Sequence, residues 1–341
     1  MDQDVVALLE AQDGAGAVGQ LLRAGCSRRT VERLVRTEVV VRVRRDAVVL
    51  ASALRATTRW ERRALRARAV GFSLAHPRHG AHPRVHALSH QSSLAAWRLP
   101  YEGGGEDIHL SRLDGQRGRR EGAVWVHAPV PPTWVTEQDG LLVVRPALAA
   151  LQVAATSGPA AGVVCLDGVL HDAALADAAA AGQGAEVVRR AIVTRGSAQA
   201  AVQRDIDDAL SRGFGRGQPS VVQVVEAADA RSESAGESRS RWLVQLLGLG
   251  PCTPQFAVRD GDVLVGYADL KLDRWPVLLE FDGSGKYTGL DDLLSEKDRE
   301  DRLRALGYEV VRIRWADLAR PHLVRQRILA AIARAEARRA G

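Results

Sequence analysis

Residues Gly266–Tyr287 read GYADLKLDRWPVLLEFDGSGKY. The run predicts two short strands, Tyr267–Leu272 and Pro276–Phe281, joined by a tight turn at Asp273-Arg274. Val277, Leu278, Leu279 and Phe281 make the apolar run of a strand covered on both faces. Glu280 interrupts that run, Asp282 lies one residue beyond it, and Asp269 sits in the first strand. A carboxylate in a buried strand is strongly disfavoured unless it is paired, hydrogen-bonded or bound to a cation. Three of them converging on one sheet edge repel one another and need positive charge between them. A divalent metal is the simplest supplier.

Lysine usage marks the same region. Of 47 Lys plus Arg only three are lysine, and all of them (Lys271, Lys286 and Lys297) fall within or just after this stretch. A compact ammonium suits a role beside a phosphate or an activated water better than a planar guanidinium does.

The chain has 341 residues, of which 46% are hydrophobic, enough for two or three domains with cores of their own. Cys26, Cys165 and Cys252 are few, odd in number and far apart. They fit a reducing compartment rather than a disulfide framework or a cysteine zinc site. The N-terminus MDQDVVALLE has no signal-peptide pattern and no long apolar run occurs, so the expected location is the cytoplasm. The net charge of +6 is concentrated at one end: eight Arg against Glu32 and Glu38 between residues 14 and 45, and six Arg against Glu61 between 51 and 68. That clustering points to nucleic acid rather than to a surface on which Arg merely replaces Lys.

In the first 52 residues, helices are expected over 2–12, Gly16–Ala24 and, capped by Ser27, over SRRTVERLVR; strands follow at Val39–Val43 and Ala47–Leu50. Three helices and a basic hairpin make a winged helix-turn-helix. Arg28, Arg29 and Arg33 would lie on its recognition helix, with Arg42, Arg44 and Arg45 on wing phosphates. A small helical domain that binds protein is the competing reading.

Residues 53–230 read as a mixed α/β middle domain: an Arg-rich helix over 53–72, a helix in LSHQSSLAAWRLP, strands at Asp107–Ser111, Ala123–His127 and Leu141–Val144, then helices at Pro146–Ala155, Gly162–Leu170 and 173–185. His76, His79, His82, His86 and His90 invite a metal, but Pro77, Gly80 and Pro83 break any helix that would align them, so a solvated loop is expected. The middle domain offers no catalytic constellation. From 231 to 341 the order is helix, two or three strands, helix, strand, helix, with a capping box at Ser295 and Asp298 and Gly307 ending its helix. This predicts an α/β/α sandwich.

Phosphodiester hydrolysis needs an oriented water and stabilisers for charge on the non-bridging and leaving oxygens, which Mg²⁺ or Mn²⁺ on oxygen ligands supplies. Asp269 and Glu280 would hold the ion, Asp282 or the Phe281 carbonyl would complete its shell, Glu237 would reach a second metal or its water, and Lys286 would polarise the nucleophile. The structural alternative pairs Glu280 and Asp282 with Arg299, Arg302 or Arg314.

ESRSRW, Gln255, GYADL, LLEFDGSGKY and DREDRLRALGYEVVRIRWADL occur in that order over residues 234–318. They resemble the very-short-patch-repair (Vsr)-like branch of the PD-(D/E)XK nucleases. The resemblance implies a Mg²⁺-dependent DNA endonuclease fold with Glu237, Asp269, Glu280 and Asp282 at the metal and Gln255 supporting them. Lys286 stands where that branch has histidine, and Asp298 with Arg302 fits its later motif only approximately. The first 50 residues, LSHQSSLAAWRLP and DGLLVVRPALAALQVAA are similar to AbiEi-type antitoxin proteins, which implies a toxin or other protein as a partner besides DNA. The expected protein is a DNA-binding endonuclease of defence or repair. The alternative is a non-catalytic, antitoxin-like transcriptional regulator with a degenerate nuclease fold.

Overall fold

In the computed structural model, which describes residues 2–78, 83–103, 105–190, 195–283 and 299–340, the chain is mixed α/β with three sheets. It begins with α1 (Asp2–Glu10), β1 (Ala15–Ala17), α2 (Val18–Arg23), α3 (Arg28–Arg36), β2 (Val40–Arg44) and β3 (Ala47–Leu50). Ser27 starts α3 because its Oγ accepts the Thr30 N–H at 3.1 Å, a cap worth about 1 kcal/mol. Thr30, Val31 and Leu34 face inward, while Arg28, Arg29, Arg33 and Arg36 are exposed. Val5, Leu9, Leu21, Val31, Leu34 and Val48 share one core. The helix expected over Gly16–Ala24 starts only at Val18, because Ala15–Ala17 pairs antiparallel with Ala47–Val49. These small residues have no side-chain period of their own. A Cβ on Gly16 would stand 2.4 Å from Leu9 Cδ2, so a larger residue there would have to displace that methyl.

The next elements are α4 (Ala51–Ala56), α5 (Arg59–Ala75), β4 (His86–Leu88), α6 (His90–Ala96), β5 (Ile108–Arg112), β6 (Arg119–Glu121), β7 (Val124–Pro129), β8 (Val135–Gln138), β9 (Leu141–Val144) and α7 (Pro146–Ser157). The single Arg-rich helix expected over 53–72 is two, restarted by a capping box between Thr58 and Glu61. The six strands run in the order β6-β7-β5-β4-β9-β8. Here β5 pairs parallel with β7 and β4 parallel with β9, and the other pairs are antiparallel. Ala67, Ala69 and Val70 of α5 share a core with Ala17 and Val49 on one side and Leu110 and Val143 on the other. Their small side chains let the helix sit close to both sheets.

The chain divides into two compact units, 1–165 with 204–221, and 166–203 with 222–341. The division falls within α8 (Pro159–Ala180), α10 (Ser197–Arg212) and α11 (Gln218–Ala227); α9 (Glu186–Arg189) lies between the first two, and α12 (Ala235–Leu246) follows. In place of the separate helices expected at Gly162–Leu170 and 173–185, α8 is continuous; nothing at Leu170–Asp172 interrupts its backbone.

The second unit is built on β10 (Cys252–Asp260), β11 (Val263–Leu272), β12 (Val277–Asp282) and β13 (Glu309–Arg314), hydrogen-bonded in that order. β10-β11-β12 are antiparallel, and β12 pairs parallel with β13. Helix α13 (299–305) and α14 (Trp315–Leu318) flank β13, and α15 (Pro321–Ala340) ends the chain. Leu270, Leu279 and Ile313 pack against Leu243 and Val244 of α12 and Val324, Ile328 and Ile332 of α15. Leu278 and Val258 pack with Leu303 of α13. Helices thus contribute to both cores of the sheet. The Ser295/Asp298 capping box lies outside the described residues, while Gly307 has the left-handed φ of 85° expected of a helix stop.

A buried ion pair joins α8 to α12 within this unit. Arg241 donates to Asp167 Oδ2 at 2.6 Å and also bonds the Ala227 carbonyl, while the Asp229 N–H donates to Asp167 Oδ1 at 2.8 Å. With side chains 1% and 9% exposed, neither charge has water as an alternative partner. Asp167→Ala is therefore expected to destabilise the protein by about 3–5 kcal/mol. Replacing both residues by Leu and Met costs far less. Urea denaturation of the single and double variants measures the difference, and equal losses in both would count against the pairing.

Candidate functional site

Hydrogen bonding between β11 and β12 begins at the hairpin, with Lys271 opposite Leu278 and Leu270 opposite Leu279. One row further on, where the register brings Asp269 opposite Glu280, the ladder changes character: the Phe281 N–H donates to Asp269 Oδ2 at 2.6 Å. A side-chain carboxylate has taken the bond a strand carbonyl would otherwise accept, and this holds Asp269 beside Glu280. On the other side of Asp269, Pro254 pairs with Leu270 and Phe256 with Ala268. Gln255 therefore occupies the opposing position, with a left-handed φ of 47°. A non-glycine residue there costs about 1–3 kcal/mol.

Gln255 is buried and donates to Glu237 Oε2 at 2.9 Å. Ser234 caps α12, and Glu237 also accepts from the Glu233 N–H at 3.0 Å and bonds Ser234 Oγ at 2.9 Å. Burial pushes the Glu237 carboxyl above its ordinary range, against these hydrogen bonds. Gly236 seats the first turn of α12 on β12, since a Cβ there would stand 2.1 Å from the Phe281 ring.

The arginines divide the remaining acids. Arg299 of α13 reaches Glu280 Oε1 and the Tyr267 carbonyl, both at 2.8 Å, over Gly266. Arg314 donates to Asp282 Oδ2 at 3.1 Å across the β12–β13 pair. Arg302 faces Asp260 instead, at 3.5 Å. The structure thus brings Asp269 to Glu280 and Glu237 to Gln255, and places Asp282 with Arg314. Lys271 folds back onto the hairpin, its Nζ donating to the Leu272 and Asp273 carbonyls at 3.1 and 3.3 Å. Lys286 and Lys297 lie outside the described residues.

At the N-terminal end, Arg28, Arg29, Arg33, Arg42 and Arg45 are exposed. Arg44 is bound to Glu121 at 2.7 Å, which offsets its charge. Together α3 and the β2–β3 hairpin present a basic surface carried by residues close in sequence.

A third constellation was not legible in sequence. Among the described residues, the one group of three or more His, Cys, Asp or Glu whose ligand atoms lie within 4.8 Å of one another is His90, His109 and His127. The solvated loop expected for the histidine-bearing segment is corrected here. His86 lies in β4 and His90 is a buried residue at the start of α6, because this stretch completes the six-stranded sheet. His79 and His82 lie outside the described residues. The other two members of the cluster come from β5 and β7, whose parallel register sets His109 against Trp125 and Ser111 against His127. The available signal was the placement of single histidines in predicted strands, which carries no spacing rule.

Burial pushes the His90 imidazole well below its usual value and His127 down to about 4.

Compared with known proteins, the chain matches no family model and no curated relative. Among the described residues no helix is long and apolar enough to cross a membrane.

Two outcomes are expected. Glu237→Ala strands the buried Gln255 amide and lowers stability by about 1–3 kcal/mol, measured by chemical denaturation; Glu237→Gln, which keeps an acceptor oxygen, loses less. For the metal-free protein, the unfolded chain binds more protons than the folded one between the ordinary histidine value of 6.5 and about 4. Stability is then complete above the upper value and falls as pH drops toward the lower. Denaturation midpoints across that range check it, with His127→Gln flattening the profile.

Proposed function

We propose that the chain is a DNA-binding protein whose first 52 residues form a winged helix-turn-helix and whose second unit is a PD-(D/E)XK-type, Vsr-like endonuclease domain that cleaves phosphodiesters. The observation that carries this reading is the altered ladder at Asp269 and Glu280. Asp269 and Glu280 hold opposing register positions on adjacent strands of a mixed sheet with helices in both of its cores. Mg²⁺ binds through one or two carboxylates and fills its remaining positions with water and phosphate oxygens, so this pair fits the ion without a full protein shell. Asp269 and Glu280 would hold it, and when bound it supplies positive charge to the phosphate and an acidified water.

The chain's own residues define the rest. The Phe281 N–H fixes the Asp269 carboxylate, and Arg299 fixes Glu280 while adding a positive charge near the place a phosphate would occupy. Glu237 and Gln255 form a buried support behind Asp269. Lys286, which stands where the Vsr-like branch has histidine, is assigned the polarising of the nucleophile or the grip on phosphate that a compact ammonium suits. The exposed arginines of α3 and the hairpin would dock the duplex, with Arg28, Arg29 and Arg33 toward the groove and Arg42 and Arg45 on phosphates.

A second reading has a specific observation in its favour. Glu280 and Asp282 already have arginine partners, as in a sheet whose acids have become structural. That describes a non-catalytic, antitoxin-like regulator with DNA and a toxin or other protein as partners.

Nicking of supercoiled DNA with Mg²⁺ or Mn²⁺ separates the two. The nuclease reading expects cleavage that is abolished by chelator, by Asp269→Ala and by Glu280→Ala. Specific DNA binding without cleavage by the folded wild-type protein favours the regulator. In either case Arg28→Ala with Arg29→Ala should weaken DNA binding. Arg42→Ala with Arg45→Ala, which removes two phosphate contacts, should make the slope of log K against log salt shallower by about 2. Gel-shift or fluorescence titration over a salt series reads this out.

A further inference from the structure

His90, His109 and His127 come from three different segments of the first unit: the start of α6, the middle of β5 and the later half of β7. His109 Nδ1 lies 2.8 Å from His127 Nε2. The His90 ring stacks on His127 with centroids 3.8 Å apart, and His109 lies 5.3 Å from His90 and 5.1 Å from His127. Trp125 covers the far face of the stack at 4.6 Å from His127. His90 and His109 are each 3% exposed, while His127 is only partly buried and gives the group its solvent side.

A plain packing role accounts poorly for two features. His90 has a left-handed φ of 50°, which costs a non-glycine residue about 1–3 kcal/mol. The surroundings hold it there: the His90 N–H donates to Gln152 Oε1 at 3.2 Å, its Nδ1 meets Ser89 Oγ at 3.0 Å, and the Ser89 N–H donates to the His109 carbonyl at 3.0 Å. Secondly, three imidazoles from separate segments crowd together, with one nitrogen of each within 4.8 Å of the others. An imidazole binds a transition metal through the ring nitrogen that carries no proton, so each of the three rings offers one ligand atom.

We propose that His90, His109 and His127 form a binding site for one divalent transition-metal ion of the zinc class, with water at the fourth position on the His127 side. Three neutral nitrogen donors suit Zn²⁺, Co²⁺, Ni²⁺ or Cu²⁺, and not Mg²⁺ or Ca²⁺, which prefer oxygen. Tetrahedral coordination at 2.0–2.1 Å sets ligand nitrogens about 3.3 Å apart. His109 and His127 would therefore separate slightly from 2.8 Å, giving up their mutual hydrogen bond. The His90 and His127 rings would swing out of their stack so that their lone pairs converge. Each imidazole keeps one proton, on the nitrogen that does not bind. Ser89 Oγ on His90 Nδ1 orients that ring, as outer-shell partners of metal-binding histidines do. The ion would fasten the β4–α6 junction to β5 and β7. It shares no residue with the acids of the second unit.

The test uses the 341-residue chain, stripped with chelator and dialysed. Titration with Co²⁺ followed by visible absorption, and with Zn²⁺ by calorimetry, is expected to give one ion per chain, tetrahedral d–d bands and a higher melting temperature. His127→Gln, at the partly exposed position, should keep the wild-type circular dichroism and lose affinity by roughly tenfold or more. Asp269→Ala with Glu280→Ala should bind Zn²⁺ as the wild type does whether or not the chain is a nuclease. Failure of the stripped wild type to bind either ion stoichiometrically overturns the proposal. So does unchanged Zn²⁺ affinity in both folded His127→Gln and folded His109→Asn.

Discussion

Polar groups inside this protein have to find partners inside it, and much of the architecture follows from that constraint. An unpaired buried polar group costs free energy comparable to several packed methylenes, so a sequence that buries one must also supply its mate. Helix α6 is the plainest case. All seven of its residues are buried, and four of them, His90, Gln91, Ser92 and Ser93, are polar. Each is tied to another element: Gln91 to the Glu102 carbonyl and Ser157, Ser92 to the His109 N–H, and Ser93 to the Val144 carbonyl. The helix works as a hydrogen-bonding hub between β5, β9 and α7 rather than as an amphipathic stripe. In the second unit the Asp167–Arg241 pair does the equivalent work for α8 and α12.

The same constraint shapes the C-terminal sheet. Asp269, half-buried, accepts the Phe281 N–H at one of its carboxylate oxygens. Glu237 is deeper still and uses a backbone amide, a serine and a glutamine. Glu280 and Asp282, nearer the surface, use arginines. Glu237, the buried acid, thus relies on neutral donors, whereas the half-buried Glu280 and Asp282 use guanidinium groups. A neutral donor leaves most of a carboxylate's charge available to another cation, whereas a guanidinium compensates it. Arg299 is accordingly the side chain that decides how much of the Glu280 charge remains available.

The two proposed metal sites draw on different donor chemistry. Carboxylate oxygens on a sheet suit a hard ion that keeps its waters and meets a phosphate; neutral imidazoles in a buried polar pocket suit a softer ion held by the protein. On these proposals the first ion would exchange with substrate and the second would be retained by the protein. This separation lets each be emptied or mutated without touching the ligands of the other.

Several features were legible in the sequence because they depend on neighbours in the chain. The Ser27 cap and inward face of α3, the β2–β3 hairpin, and the β11–β12 hairpin with its embedded acids all follow from local period and turn chemistry. So do the exposed arginines near the N-terminus. What the sequence could not supply was partner choice across long separations. Arg299 rather than Arg302 meets Glu280, Lys271 turns to its own hairpin, and Ala15–Ala17 becomes a strand through pairing with residues some thirty positions away. The histidine cluster is the extreme case. His90, His109 and His127 have neither motif spacing nor a shared element, and the nearest histidines in sequence to His90 point to the wrong set. Local patterning is set by interactions a few residues apart, whereas a site made from a helix start and two parallel strands exists only once the sheet has fixed its register.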